Sequence, residues 1–209
     1  MAIFGYVELP LSWLLRDFLN HDARLFTKGP AFNSYPKPGI DVISPSCGPS
    51  GSVLQPKYSQ MGEDCFPSLG WLHEIENIKE YILICEDADM PLPGPIVQRV
   101  FHGIYYSIPP ATTMVAASDL ETARVDEKGG TVKGGFKFTK NFRGVAYAGA
   151  KPVLGHAPHR YFYQLVAPKE PLELGELGFV PSEAQLATAI EGKVLGWGVW
   201  VGVFGRKWR

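Results

Sequence analysis

The stretch Tyr81-Ile82-Leu83-Ile84-Cys85-Glu86-Asp87-Ala88-Asp89-Met90-Pro91 passes from apolar to acidic and stops at a proline. Tyr81 to Cys85 is a short apolar run of residues that suit a buried strand. Pro91 has no N–H for a sheet ladder, so Asp87 and Asp89 are expected at a strand exit, where folds commonly expose reactive groups.

Two further segments read as strands, Val100 to Tyr106 and His159 to Val166, and each carries a histidine at or near its start, His102 and His159. If the three strands are neighbours, Asp87, His102 and His159 share one pocket. A carboxylate beside histidines favours imidazolium, so such a pocket would hold an anion at neutral pH or move a proton. A plainer reading stands beside it, in which Asp87 and Asp89 cap a turn and both histidines are hydrogen-bonded core residues.

With 209 residues, 45% of them hydrophobic, the chain can bury one sizeable core, and the expected organisation is one globular unit. Its 23 glycines and 18 prolines, set between many short apolar runs, point to a mainly β fold with long loops. A net charge of -1 gives no footprint for a nucleic-acid partner. No run approaches the roughly 20 apolar residues of a membrane-spanning helix. Cys47, Cys65 and Cys85 are odd in number and lack metal-ligand spacing, which favours a reducing, cytoplasmic location, although Cys47 and Cys65 remain able to pair.

At the amino end, Leu11, Leu14, Leu15, Phe18 and Leu19 recur at helical spacing, which predicts an amphipathic helix after Pro10 that packs on the core. The start of the chain has neither the basic residues nor the continuous apolar stretch of a signal peptide. The paired glycines around Thr131 to Lys133 predict a mobile hairpin or loop, with a strand beginning at Phe136-Lys137-Phe138. Ser182-Glu183-Ala184-Gln185 has capping-box spacing before a short helix that Gly192 can end. Beyond it, Leu195, Trp197, Val199, Val201 and Val203 share one strand face, with Gly196, Gly198 and Gly202 on the other, where they permit close backbone approach.

Several chemistries fail on spacing. Pro158 lies between His156 and His159, which spoils them as a helical metal pair, and no metal site or cofactor is expected. Ser50 lacks the second glycine of a nucleophile elbow, and Gly135-Phe136 stands where a phosphate loop needs its lysine.

The set Cys65-Phe66-Pro67-Ser68-Leu69-Gly70-Trp71, Tyr81 to Pro91, His102 and Gly155-His156-Ala157-Pro158-His159-Arg160-Tyr161 resembles the phosphatidylethanolamine-binding proteins, also called Raf-kinase-inhibitor-like proteins. The likeness runs from about Ile40 to Phe204, with four separated motifs in the family's order. The family's Asp-Pro-Asp-Ala-Pro signature stands here as Asp87-Ala88-Asp89-Met90-Pro91, and a single proline, Pro152, stands where the family often has two. The resemblance implies a β-sandwich with a few peripheral helices, organised as a helical extension over 1–38 packed on a family-type domain over 39–209.

It also implies that Asp87, His102, His159 and Tyr161 line a small anion pocket, with Asp89 and Arg160 supporting its walls; beside Pro152 this chain departs from the family by adding a cation, Lys151, expected to attract a carboxylate or phosphate to the mouth. The expected ligand is a phosphate, a phospholipid head group or a dicarboxylate, and no protein partner is named. Three roles fit: a ligand-binding module, a kinase or protease inhibitor or signalling scaffold, or an enzyme or helper in fungal secondary metabolism. The last follows from a likeness to fungal members, some of which are associated with biosynthesis of maleidrides, whose anhydride monomers open to dicarboxylates. In an enzyme, His102 or His159 would be general acid or base, Asp87 would orient it, and Lys151 or Arg160 would hold a carboxylate.

Overall fold

A computed structural model describes residues 2–91, 100–127, 129–172 and 183–207 of the chain. Its strands are β1 (Asp41–Ile43), β2 (Ser52–Val53), β3 (Leu69–Leu72), β4 (Tyr81–Asp87), β5 (Val100–Ile108), β6 (Met114–Val115), β7 (Thr122–Val125), β8 (Gly129–Val132), β9 (Lys137–Thr139), β10 (His159–Pro168) and β11 (Val194–Phe204). Eight of them form one sheet in the order β2-β11-β10-β4-β5-β9-β8-β7, and β1-β3-β6 form a second. The fold is mainly β, with few helices.

The three strands read from sequence are adjacent, with β4 antiparallel to both β10 and β5. Every residue of β4 is buried, because both faces of the large sheet are covered. Alternation sorts its side chains. Leu83 and Cys85 join the core that Val42, Trp71 and Val115 of the second sheet complete, while Ile82 and Ile84 meet Phe26, Phe32, Leu186, Ile190 and Trp197 on the other side.

The glycine face of β11 allows the two sheets to close. A Cβ at Gly198 would lie 2.3 Å from the Ile40 carbonyl oxygen, and one at Gly202 would lie 2.8 Å from Leu54 Cδ2. Trp200 and Phe204 share that face and belong to the core between the sheets.

The amino-terminal segment crosses the opposite face. Gln164 of β10 donates to the Glu86 carboxylate at 2.6 Å and accepts from the Thr27 hydroxyl at 2.7 Å. Phe26 N–H donates to the same Glu86 oxygen at 3.1 Å. These buried polar groups hold one another's hydrogen bonds, so their desolvation is compensated.

Three local expectations change. The first helix, α1, spans Ala2–Leu14 and runs through Pro10 instead of starting after it. Proline suits a first turn, which is why its position read as a start, but the helical stretch extends on both sides of it. Leu11, Leu14 and Phe18 are exposed, and contacts of the helix include Leu9 and Ser12, both close to Gly155, and Glu8, bonded to Arg206 and the Leu154 N–H. The expected hairpin forms, with β8 antiparallel to β9 and its turn after Val132, but the glycines before Thr131 lie inside β8: Cβ atoms there would meet the carbonyl oxygens of Phe138 and Arg124 at 2.0 and 1.9 Å, so neighbouring strands leave room for nothing larger.

The second helix, α2 (Glu183–Ile190), forms where read, and Gly192 takes a positive φ of 67° just past its end. Its proposed cap, Ser182, lies outside the described residues. Cys47, Cys65 and Cys85 are free thiols. Among the described residues no helix is long and apolar enough to cross a membrane.

Candidate functional site

Asp87 is the last residue of β4 and pairs in register with Tyr161 of β10, while His159 is the first residue of β10. That arrangement brings His159 Nδ1 to 2.8 Å from Asp87 Oδ2, with both side chains almost wholly buried. The other carboxylate oxygen of Asp87 accepts the Asp89 N–H at 2.8 Å. His159 Nε2 is also engaged, 2.9 Å from His156 Nδ1, and His156 Nε2 lies 3.1 Å from the Leu15 carbonyl oxygen. Both nitrogens of His159 are therefore committed within the protein.

His102, on β5, is held from the other side. Its Nδ1 is 2.5 Å from the Ala148 carbonyl oxygen, which can only accept, so Nδ1 carries the hydrogen. The main chain on either side of this contact is tied as well: the His102 carbonyl accepts from the Asn141 side chain at 2.8 Å and from the Ala148 N–H at 2.9 Å. Burial pushes the His102 ring toward its neutral form, against the opposing pull of Asp87. A neutral ring with hydrogen on Nδ1 presents a lone pair at Nε2. That atom is buried and has no hydrogen-bond partner.

Tyr161 stacks edge-on against His102, with ring centroids 5.1 Å apart. Burial, reinforced by Asp87, raises the Tyr161 phenol well above its ordinary range, so it stays a hydrogen donor. Its hydroxyl is buried against the Lys151 backbone, whose main-chain hydrogen bonding opposes that rise, and it meets no partner within full hydrogen-bond geometry. The site thus contains a bare acceptor and a hydroxyl donor on two rings in edge-to-face contact. Phe142, half exposed, covers the other edge of His102 at 5.7 Å between centroids.

Asp89 and Arg160 form a separate clamp. Arg160 Nε and Nη2 reach the two Asp89 oxygens at 2.8 Å each, and Nη2 and Nη1 reach Asp22 at 2.6 and 3.1 Å. Asp89 also accepts the N–H groups of Asn20 and Arg160. Burial opposes ionisation of Asp89, but Arg160 and these N–H groups outweigh it and hold the carboxyl below the usual carboxylate range. Arg160 thereby spends its donors on two carboxylates. Lys151 is exposed, and buried Pro152 offers its carbonyl to Arg206 at 3.0 Å.

Asp87, His102, His159 and Tyr161 come together; Asp89 and Arg160 are bound to each other beside them. Sequence reading missed Ala148, Asn141, His156, Asn20 and Asp22. Only His156 carried a signal, its place three residues before His159, and Pro158 had removed it as a helical pair.

Comparison with known proteins agrees with this architecture. Residues 44–205 match the family described as phosphatidylethanolamine-binding protein. A protein named phomoidride biosynthesis cluster protein B from Talaromyces stipitatus is 40% identical over 99% of this chain and 86% of its own length. A protein of the same name from another fungal species is 37% identical over 99% of this chain and 98% of its own. Among solved structures, a phosphatidylethanolamine-binding protein homologue from Chlamydia trachomatis superposes with a TM-score of 0.59 at 23% identity, covering 81% of this chain and 99% of that one. At that identity the superposition speaks to the fold alone. Family match, fungal relatives and fold converge, and the chain belongs to the phosphatidylethanolamine-binding protein family.

Proposed function

We propose that this chain binds a small oxyanion, phosphate or carboxylate, at His102 and Tyr161, with Asp87 and His159 behind them. The observation that carries this reading is the pair of buried, unpartnered atoms, His102 Nε2 and Tyr161 Oη, on rings in edge-to-face contact. Leaving such groups unsatisfied costs about 1–3 kcal/mol each, which a bound ligand would recover. One oxygen of the ligand would accept from Tyr161. Another would carry a hydrogen to His102 Nε2, or the ring would take up a proton as the anion arrives. Lys151, exposed and, among the described residues, not paired with carboxylates as Arg160 is, would be the cation that draws an anion in.

A second reading, a role as enzyme or helper acting on dicarboxylates in fungal secondary metabolism, is favoured by the two biosynthesis-cluster relatives that span nearly the whole chain. In that case the bare His102 Nε2 is the proton acceptor, and Asp87 with His159 is the buried hydrogen-bonded pair behind it.

Calorimetric titration with phosphorylethanolamine and, separately, with a substituted maleic dicarboxylate tests both readings. Binding lost in His102→Ala supports the site, and dicarboxylate selectivity with turnover supports the enzyme. Unchanged binding in His102→Ala would overturn the assignment.

A further inference from the structure

Three hydrogen-bonded gaps run behind the site in series. Asp87 Oδ2 faces His159 Nδ1 at 2.8 Å, His159 Nε2 faces His156 Nδ1 at 2.9 Å, and His156 Nε2 faces the Leu15 carbonyl at 3.1 Å. Each gap needs one hydrogen. Two neutral imidazoles supply one hydrogen each, so two gaps are filled and the third is not. The array as built holds one proton more than neutral histidines provide.

The ends of the series decide where that proton sits. A carbonyl only accepts, so His156 Nε2 donates to Leu15 and His156 Nδ1 is left as an acceptor. His159 Nε2 must then carry a hydrogen. At the other end, Asp87 Oδ1 already accepts the Asp89 N–H at 2.8 Å, which favours the carboxylate, so His159 Nδ1 carries a hydrogen as well. His159 is fully buried, and an imidazolium there is tolerated because the adjacent carboxylate neutralises it.

We propose that His156, anchored on the Leu15 carbonyl, is a positioning residue that keeps His159 a buried imidazolium against Asp87. The protein thus stores one transferable proton behind the site. This goes beyond oxyanion binding and does not depend on it. The titratable and charged groups around the array are Asp87 at the end of β4, Asp89 two residues beyond it, His102 on β5, and Tyr161 and Arg160 on β10. Glu8 on α1 is occupied by Arg206 and the Leu154 N–H. Arg160 is likewise occupied by Asp89 and Asp22, so Asp87 is the carboxylate bonded to the His159 ring.

Nitrogen-15 NMR of the full chain, labelled on histidine and free of ligand at pH 7, tests this. The expected spectrum has both nitrogens of His159 protonated and only Nε2 of His156 protonated. In His156→Gln the amide oxygen can accept from His159 and the amide nitrogen can donate to Leu15, so the doubly protonated signal is retained. In His156→Leu the acceptor is gone, and His159 loses its second proton. A bare nitrogen on His159 in the native chain overturns the proposal, as does a doubly protonated His159 that persists in a folded His156→Leu. If the leucine variant fails to fold, the native and glutamine spectra decide, because a doubly protonated His159 absent from either one overturns the proposal. The NMR result and phosphate binding are read independently, so either can fail alone.

Discussion

His159 Nδ1 and Asp87 Oδ2 stand 2.8 Å apart across the ends of neighbouring strands, although 72 positions separate the two residues in the chain. The contact joins the first residue of β10 to the last residue of β4, and it exists because those strands pair antiparallel with Tyr161 opposite Asp87. Both atoms of that contact are engaged, as is His159 Nε2, so the groups of the site left without a partner are His102 Nε2 and Tyr161 Oη.

Tyr161→Phe separates ligand binding from folding. It deletes a buried hydroxyl that has no partner in the ligand-free protein, so stability is expected to hold or to rise by about 1 kcal/mol. Phosphate affinity is expected to fall about tenfold or more, the size of a lost hydrogen bond to a charged group. Urea denaturation and calorimetric titration measure the two effects, and a destabilised variant with unchanged affinity would contradict the assignment.

Binding of inorganic phosphate is expected to strengthen as pH falls from 8 to 6. Burial keeps His102 neutral with its hydrogen on Nδ1, so contact at Nε2 requires a hydrogen from the ligand or from solution. Titrations in two buffers of different ionisation heat should show net proton uptake. Affinity that is flat, or that weakens toward pH 6, counts against a ligand at Nε2.

Stability is expected to fall in acid by two routes with the same sign. Burial lowers the folded affinity of His102 for a proton, so its contribution is present above the unfolded value of about 6.5 and is lost as pH falls below it. Asp89 is also held low despite burial, so its contribution is present above about pH 4 and is lost below that. Arg160→Leu strands the Asp89 carboxylate and should cost about 2 kcal/mol at pH 7, less than a fully buried pair because Arg160 is partly exposed. Protonation of Asp89 relieves that cost, so the gap between native and variant urea midpoints should narrow below pH 4. A gap independent of pH would argue against the clamp.

Gly198→Ala tests the closure of the two sheets. Its Cβ would sit 2.3 Å from the Ile40 carbonyl oxygen and 2.7 Å from Val42 Cγ2, so backbone must move. A loss of about 2 kcal/mol or more is expected, against less than about 0.5 for Gly39→Ala, whose Cβ meets nothing within 4 Å. Equal losses in chemical denaturation would remove the close approach as the reason for glycine at 198.

The sequence by itself determined the mainly β class and the strands around Tyr81, His102 and His159, whereas the meeting of Asp87 with His159 beside His102 depended on β10, β4 and β5 being neighbours, which the tertiary structure decided. Apolar runs bounded by proline and glycine are local signals, and alternation carries the face of each side chain with it. Sequence also showed the glycine face of β11, because period two is visible in a single strand. It misplaced α1, since proline marks both a helix start and an interior interruption, and it read the hairpin of β8 and β9 without placing the glycines of β8 inside the strand, since their reason is the neighbouring strands. Which nitrogens are free was a matter for the tertiary structure alone. Leu15 and His156 fill one side of His159, Ala148 fixes the tautomer of His102, and Asp22 occupies Arg160. Each of these contacts follows from how distant segments fold together, and hydrogen bonds between such segments leave no periodic mark in the chain.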